Sequence, residues 1–230
     1  MKMNKELLHN QHYFTRSDLL NLVAIGLMLA AGIGYVLNFG LISYLLLAFG
    51  LPLGAILFIV NSITRSSEKD LDEYISRLTE DVGRAVEDDK HFDRKIQTRL
   101  QKHTVSGYEY RDGVMLRRDK SGKLRASVFT KSRIYPFHEA LCIASRTVSL
   151  VEDEKSEWTE EIPFVSIACL RVSREEKLLS FGKQQFTAKY IRLVIVRTEG
   201  EPFSLPMRED LELEEFLDTL NKQIQKSKQA

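Results

Sequence analysis

Between Leu19 and Val60 the chain contains no Asp, Glu, Lys, Arg or His. An uncharged run of that length excludes a solvated surface segment, and it is too long for one buried helix of a soluble core. Charge is scarce in a second sense: the 230 residues carry a formal net charge of only +1, which gives no overall footprint for nucleic acid. Cysteine is nearly absent, and Cys142 and Cys169 have no CxxC partner, so neither a disulfide scaffold nor a redox motif is expected. Of the five histidines only His9 and His12 lie close together, with no Cys or carboxylate at a metal-site spacing, so no metal and no cofactor is expected. The chain also lacks G-x-S-x-G, a P-loop, a dinucleotide glycine fingerprint and HExxH. Its carboxylate clusters, Glu68 to Glu73, Glu87 to Asp89 and Glu209 to Glu215, fall on expected helices or helix starts, where a solvated face is the ordinary explanation. No catalytic residue is expected.

The uncharged run divides into Leu19 to Leu37, 19 residues, and Leu41 to Val60, 20 residues. Each is close to the roughly 20 that a helix needs to cross a bilayer. Asn38-Phe39-Gly40 between them suits a tight turn, and Ser17-Asp18 before the first offers an N-cap. The expected element is a membrane α-helical hairpin. Lys2, Lys5 and Arg16 precede it and Arg65, Lys69 and Arg77 follow it, whereas the turn has no basic residue. Both termini are therefore expected in the cytoplasm, with the hairpin in the plasma or inner membrane. A cleaved signal peptide is the rival reading, but its apolar region is shorter and no second span would follow. No ionisable residue sits mid-span, which speaks against transport by this chain alone.

Small residues recur four apart at Gly26, Ala30 and Gly34, and again at Gly50 and Gly54, a spacing that lets helix backbones approach. They serve either self-association or the packing of the two helices of one chain. Pro52 removes a backbone donor and predicts a kink.

The expected organisation is an N-terminal cytoplasmic segment (1–18), the hairpin (19–60), a helical linker (61–102) and a cytoplasmic α+β domain (103–230). In the linker, Leu71, Ile75, Leu78, Val82 and Ala85 make one stripe of a helix over 66–86. That stripe either packs on the domain or forms a dimeric seam. A second helix is expected from Lys90 to Lys102, with Phe92, Ile96 and Leu100 on one face. Beyond His103 the period changes to alternation. Strands are expected at Val114 to Arg118, Leu124 to Thr130, Ala140 to Ser145, Thr147 to Val151, Trp158 to Ile162, Val165 to Val172, Phe186 to Arg197 and Pro202 to Met207. Glu209 to Lys226 closes the chain as an amphipathic helix, with Leu217 and Leu220 expected in the core.

The run EEIPFVSIACLRV, a long strand, EGEPFSLP and a final helix containing EEFLDTLNKQI resemble the second half of pleckstrin-homology-like (PH-like) domains, including the GRAM-like and bacterial PH-like branches. The resemblance covers about residues 106 to 226. It implies an antiparallel sheet or open barrel capped by a C-terminal helix, and a binding or scaffold role without catalysis.

One local patch stands out. Arg117, Arg118, Lys120, Lys123, Arg125, Lys131 and Arg133 face only Asp119, a charge of +6 in 17 residues. Lys120 and Lys123-Leu124-Arg125 resemble the K…K-x-R pattern that phosphoinositide-binding PH domains carry on their first hairpin. The patch is either a site for anionic lipid headgroups, at about 1 kcal/mol per basic residue near the surface, or a solvated face. Two functions follow. One is a membrane-anchored module that binds lipid headgroups or a protein, including a second copy of itself. The other is an accessory or scaffold subunit of a transporter or cell-envelope complex.

Overall fold

A computed structural model describes residues 5–15, 19–37, 40–63, 66–96 and 101–229. Ser17, Asp18, Asn38, Phe39 and Leu100, to which the sequence assigns a cap, a turn and a helix face, lie outside the described residues. The chain divides into two compact units, 1–71 and 72–230.

The first unit is helical: α1 (Lys5–Thr15), α2 (Leu19–Val36), α3 (Leu41–Leu45), a π-helical turn (Leu46–Gly50) and α4 (Leu51–Ile63), followed by the start of α5 (Glu68–Thr79). The helix that begins at Leu41 is long and apolar enough to cross a membrane, and α1 with α2 makes a second candidate if the pair, bent by 77°, is taken as one span. Among the described residues, every large apolar side chain that stands exposed lies between Leu20 and Ile63, apart from Val165 and Leu178. Pro52 has no N–H for the carbonyl one turn earlier, and a π-helical turn, in which the Leu51 N–H donates to the Leu46 carbonyl, lies just before it. Ser67 and Asp70 open α5 with a reciprocal cap, each side chain accepting from the other's backbone N–H at 3.1 and 2.9 Å.

Within this unit the helices meet through small residues, only some of them those expected. A Cβ on Gly54 would lie 2.7 Å from the Ala24 carbonyl oxygen and 2.8 Å from Met28 Cγ, so only glycine fits. Gly34 lies beneath Leu46, and Gly50 lies over Leu27 and Ala31. Gly26 is different: nothing would come within 4 Å of its Cβ, and Ala30 is exposed. The packed face of α2 carries the fully buried Ala24 and Ala31, seven residues or about two turns apart, and buried Gly34, whereas Gly26 and Ala30 lie off it. Ser43 Oγ donates to the Gly34 carbonyl at 2.6 Å, and Asn61 Nδ2 donates to Asn21 Oδ1 at 2.7 Å.

The second unit holds β1 (His103–Tyr108), β2 (Leu116–Arg118), β3 (Leu124–Ala126), β4 (Val128–Pro136), β5 (Ala140–Ser149), β6 (Lys155–Pro163), β7 (Ile167–Phe181), β8 (Gln184–Arg197), β9 (Phe203–Met207) and α8 (Leu211–Gln229). One antiparallel sheet has the order β1-β4-β5-β6, the other β7-β8-β9, and β2-β3 is a hairpin inserted between β1 and β4. The sheets stay open rather than closing into one barrel. The expected strands at 140–145 and 147–151 are one, β5. β1 lies outside the expected strands, as does the second half of β7, where Ser173 to Lys177 has no apolar alternation.

Alternation along β4 and β5 sends Ile134, Leu141 and Ile143 inward, where they meet Leu193, Ile195 and Leu205 of the second sheet and Leu213, Leu217, Leu220 and Ile224 of α8. Leu217 and Leu220 are buried as expected. At about 1.5–3 kcal/mol per fully buried side chain, α8 is part of the core. It also covers the edge of β7, since Asn221 accepts from the Leu170 N–H and donates to the Leu170 carbonyl, both at 2.8 Å.

The opposite face of the four-stranded sheet carries Tyr135, Phe137, Ala140, Cys142 and Ala144, and residues 72–96 cover it with Val86, Phe92 and Ile96. The covering segment differs from the two helices expected. α5 stops at Thr79, α6 spans only Arg84–Glu87 and α7 only Phe92–Lys95. Gly83 breaks the first helix with φ +81°, where a Cβ would collide with the Tyr135 hydroxyl. Ile96 breaks the second by turning extended and bridging to Phe137. The compact unit thus begins at Asp72, well before His103.

Candidate anion-binding turn

The β2-β3 hairpin is built around Asp119. Its Oδ1 accepts from the Ser121 N–H at 2.9 Å, the Ser121 hydroxyl at 2.7 Å and the Lys123 N–H at 2.9 Å, and Oδ2 accepts from Arg125 Nε at 3.3 Å. Gly122, with φ +81°, completes the turn. Burial acts to raise the Asp119 carboxyl, but the bonds from Ser121, Lys123 and Arg125 outweigh it and hold the group below the usual carboxylate range. Only 6% of the Asp119 side chain is exposed. The one acidic group of the turn is therefore spent inside it.

The seven basic residues do not form one patch. Arg118, Lys120 and Lys123 are exposed on the turn, with half-buried Arg117 beside them. Arg118 Nη1 donates to the Gly122 carbonyl at 3.0 Å, which steadies its side chain along the turn. Arg125 faces inward, only 12% exposed, and both its terminal nitrogens hold Asp72, at 2.5 and 3.1 Å. It also donates to the Tyr108 hydroxyl at 3.2 Å. Lys131 and Arg133 lie on β4, two residues apart on the face that carries Tyr135. Burial, then the neighbouring Arg133, push the Lys131 ammonium below its ordinary value, against the pull of Glu80. Arg133 donates to Glu87 at 3.3 Å, and Glu87 also accepts from Lys102 at 2.7 Å and the Tyr135 hydroxyl at 3.1 Å. The assignment of Arg125 and Arg133 to a ligand site is corrected accordingly: they clamp residues 72–96 to the sheet. Arg146 is a third clamp, donating to the Leu78 carbonyl at 2.8 Å and pairing with Asp81 and Glu157.

Sequence reasoning passed over Tyr110, which joins the turn to the second sheet. Its hydroxyl donates to the Leu124 carbonyl at 2.6 Å, and its ring meets Tyr190 edge-on at 5.6 Å. Burial raises the Tyr110 phenol to about 12, so it stays a donor. The inward role of Asp119 did have a signal. An Asp two residues before Ser and three before Gly is the pattern of a side chain that caps its own turn.

The acidic clusters serve the fold. Asp70 caps α5, Asp210 caps α8 by accepting from the Glu212 N–H at 3.0 Å, and Glu214 pairs with Arg174 at 2.6 Å. Cys142 lies under residues 72–96, and burial, with Glu161 adding to it, pushes its thiol up to about 11, away from nucleophilic use. Among the described residues no three His, Cys, Asp or Glu side chains gather as a metal site. No family model, curated protein or solved structure matches the chain.

Proposed function

We propose that the chain is a two-span membrane protein with both termini in the cytoplasm, and that residues 72–230 form a PH-like module that binds anionic lipid headgroups without catalysis. The fold supports the PH-like reading: open antiparallel sheets followed by a terminal helix that packs in their core agree with what the resemblance implies. The exposed apolar side chains between Leu20 and Ile63 support the membrane reading.

The observation that carries the lipid assignment is the inward Asp119. With that carboxylate consumed by the turn, Arg118, Lys120 and Lys123 present an outer surface of one sign. At about 1 kcal/mol each these three favour an anionic leaflet by about 3 kcal/mol, roughly a hundredfold in occupancy. Tethering by the spans raises the effective concentration further. A second reading, an accessory or scaffold subunit of a transporter or cell-envelope complex, is favoured by the outward Gly26 and Ala30, which offer a small-residue face to another helix.

Co-sedimentation of residues 72–230 with phosphatidylglycerol-containing vesicles tests the first reading. Binding should weaken as salt rises and be lost in the Lys120→Glu, Lys123→Glu double variant. Equal sedimentation of both proteins at low salt would remove the lipid site. A stoichiometric membrane partner on purification in mild detergent would then favour the second reading.

A further inference from the structure

The four-stranded sheet has two edges, and only one of them is met. At β1, Gly107 lies so close to β9 that a Cβ would come 2.8 Å from the Met207 nitrogen, so the second sheet stands against that edge. β6 is different. It pairs with β5 on one side, and among the described residues no strand or helix runs along the other. The ladder decides which of its backbone groups are left over. Phe164 N–H donates to the Glu139 carbonyl and Ser149 N–H to the Glu154 carbonyl, both at 2.9 Å, and bonded pairs in an antiparallel ladder recur at every second residue. Ser156, Trp158, Glu160 and Ile162 therefore turn their N–H and C=O groups to β5. Those of Lys155, Glu157, Thr159 and Glu161 point to the open side, and Pro163, which has no N–H, ends the row.

Beside the end of this row lies a groove of about 470 Å³ lined by Glu160, Glu161, Pro163, Ser166, Arg197 and Glu199. The charges around the edge sort into two sets. Glu157, Glu160 and Glu161 are matched, by Arg146, Arg197 and Lys95 respectively. Glu152, Asp153 and Glu154 before the strand, and Glu199 and Glu201 in the β8-β9 turn that borders the groove, are exposed and make no ion pair among the described residues. Within 152–161 and 197–201 the one unpaired basic residue is Lys155. The surplus is therefore negative at both ends of the row.

We infer that β6 is a strand-pairing site for an extended basic segment of a partner protein. The partner's main chain bonds to the outward N–H and C=O groups of Lys155, Glu157, Thr159 and Glu161, and its Lys or Arg side chains meet the carboxylates at the two ends. The row is long enough for this, since Lys155 to Glu161 spans about 20 Å at ~3.3 Å per residue. Main-chain bonds of this kind supply affinity and leave side chains to set specificity. Charge decides the occupant. A second copy of β6 laid antiparallel on the first would set acid against acid at both ends, whereas a basic segment gains at each. The same acid, with Pro163, keeps the open edge from pairing with its own kind. This site is separate from the basic turn and stands without the lipid assignment.

The test uses the full chain in an uncharged detergent and a fluorescein-labelled peptide of about seven residues, alternating Lys and Val, matched to the row. Fluorescence anisotropy should show saturable binding, and Trp158, the chain's single tryptophan, should shift its emission in the same titration because it lies on the strand itself. Two changes remove backbone pairing without altering charge: full N-methylation of the peptide backbone, and Thr159→Pro, which deletes one outward N–H and none that bonds β5. Each should weaken binding about tenfold or more. A peptide alternating Glu and Val should not bind. Because the methylated peptide meets the unaltered chain, it is decisive even where Thr159→Pro does not fold. Equal binding of the plain and methylated Lys-Val peptides would mean attraction by charge alone, and a rise in anisotropy without a shift at Trp158 would place the peptide elsewhere. Either result overturns the strand site, as does no binding at all. Equal binding of the Glu-Val peptide would overturn the basic partner, and a dimer of the full chain that Thr159→Pro breaks would give the edge to a second copy instead.

Discussion

Arg125 of the basic hairpin holds Asp72 with both terminal nitrogens, at 2.5 and 3.1 Å, across 53 positions of sequence. A residue that composition places among lipid ligands is therefore a bolt between the turn and the segment laid over the sheet. Its Nε meets nearly buried Asp119, so removing it leaves that carboxylate without its cation. Arg125→Ala should cost residues 72–230 about 2–3 kcal/mol in urea unfolding, the range for lost charged hydrogen bonds at a covered site. Lys123→Ala should stay within about 0.5 kcal/mol. Equal, small losses at both positions would return Arg125 to the exposed surface.

Acid should loosen the same segment. The Asp81 carboxyl is held below its ordinary value by the hydrogen bond from Arg146, and Glu87 by Lys102 first, then by Tyr135 and Arg133. A carboxylate whose folded pKa is depressed contributes stability above its unfolded pKa and loses it as pH falls through the folded one. With unfolded values of about 4, the urea midpoint should be flat from neutral pH down to about 5 and should fall below about 4. Arg146→Gln and Arg133→Gln should flatten part of that fall. A midpoint that rises on acidification would contradict the clamps.

Much of this was legible in the sequence, and the exceptions have physical causes. The end of β8 at Arg197 and the buried face of α8 follow from the spacing of their apolar residues, while β8 begins at Gln184, two residues before the expected Phe186. Val82 continues the apolar stripe of α5 and so predicts too long a helix, while the side chain that leaves no room for a Cβ at Gly83 is that of Tyr135, more than fifty residues away. The basic hairpin is legible as a charge run, but the run gathers three cations, Arg125, Lys131 and Arg133, that do not share the outer surface of the turn. Charge counting sees neither the inward direction of Arg125 nor the β4 position of Lys131 and Arg133. Nothing local in the sequence says that Glu87 and Asp72 are waiting across the sheet.

The helical unit makes a contrasting pair. Gly54 is pressed against the Ala24 carbonyl, whereas Gly26 has open space around it. Gly54→Leu should separate the helices and lower the thermal midpoint of the full chain in detergent by several degrees, and Gly26→Leu should leave it unchanged. The reverse order would place the contact on the other face of α2. If Gly26→Leu instead abolishes a dimer on gel filtration, that face serves self-association.

The proposed placement of the basic turn at the cytoplasmic leaflet, held there by two spans, is decided by cysteine labelling in intact cells, with Cys142 and Cys169 replaced by Ala and a single Cys placed at Leu41, at Lys123 or at Ser227. An impermeant maleimide should label Leu41→Cys in intact cells, and should reach Lys123→Cys and Ser227→Cys only after lysis. Labelling of Lys123→Cys or Ser227→Cys from outside, with Leu41→Cys protected, would contradict the account.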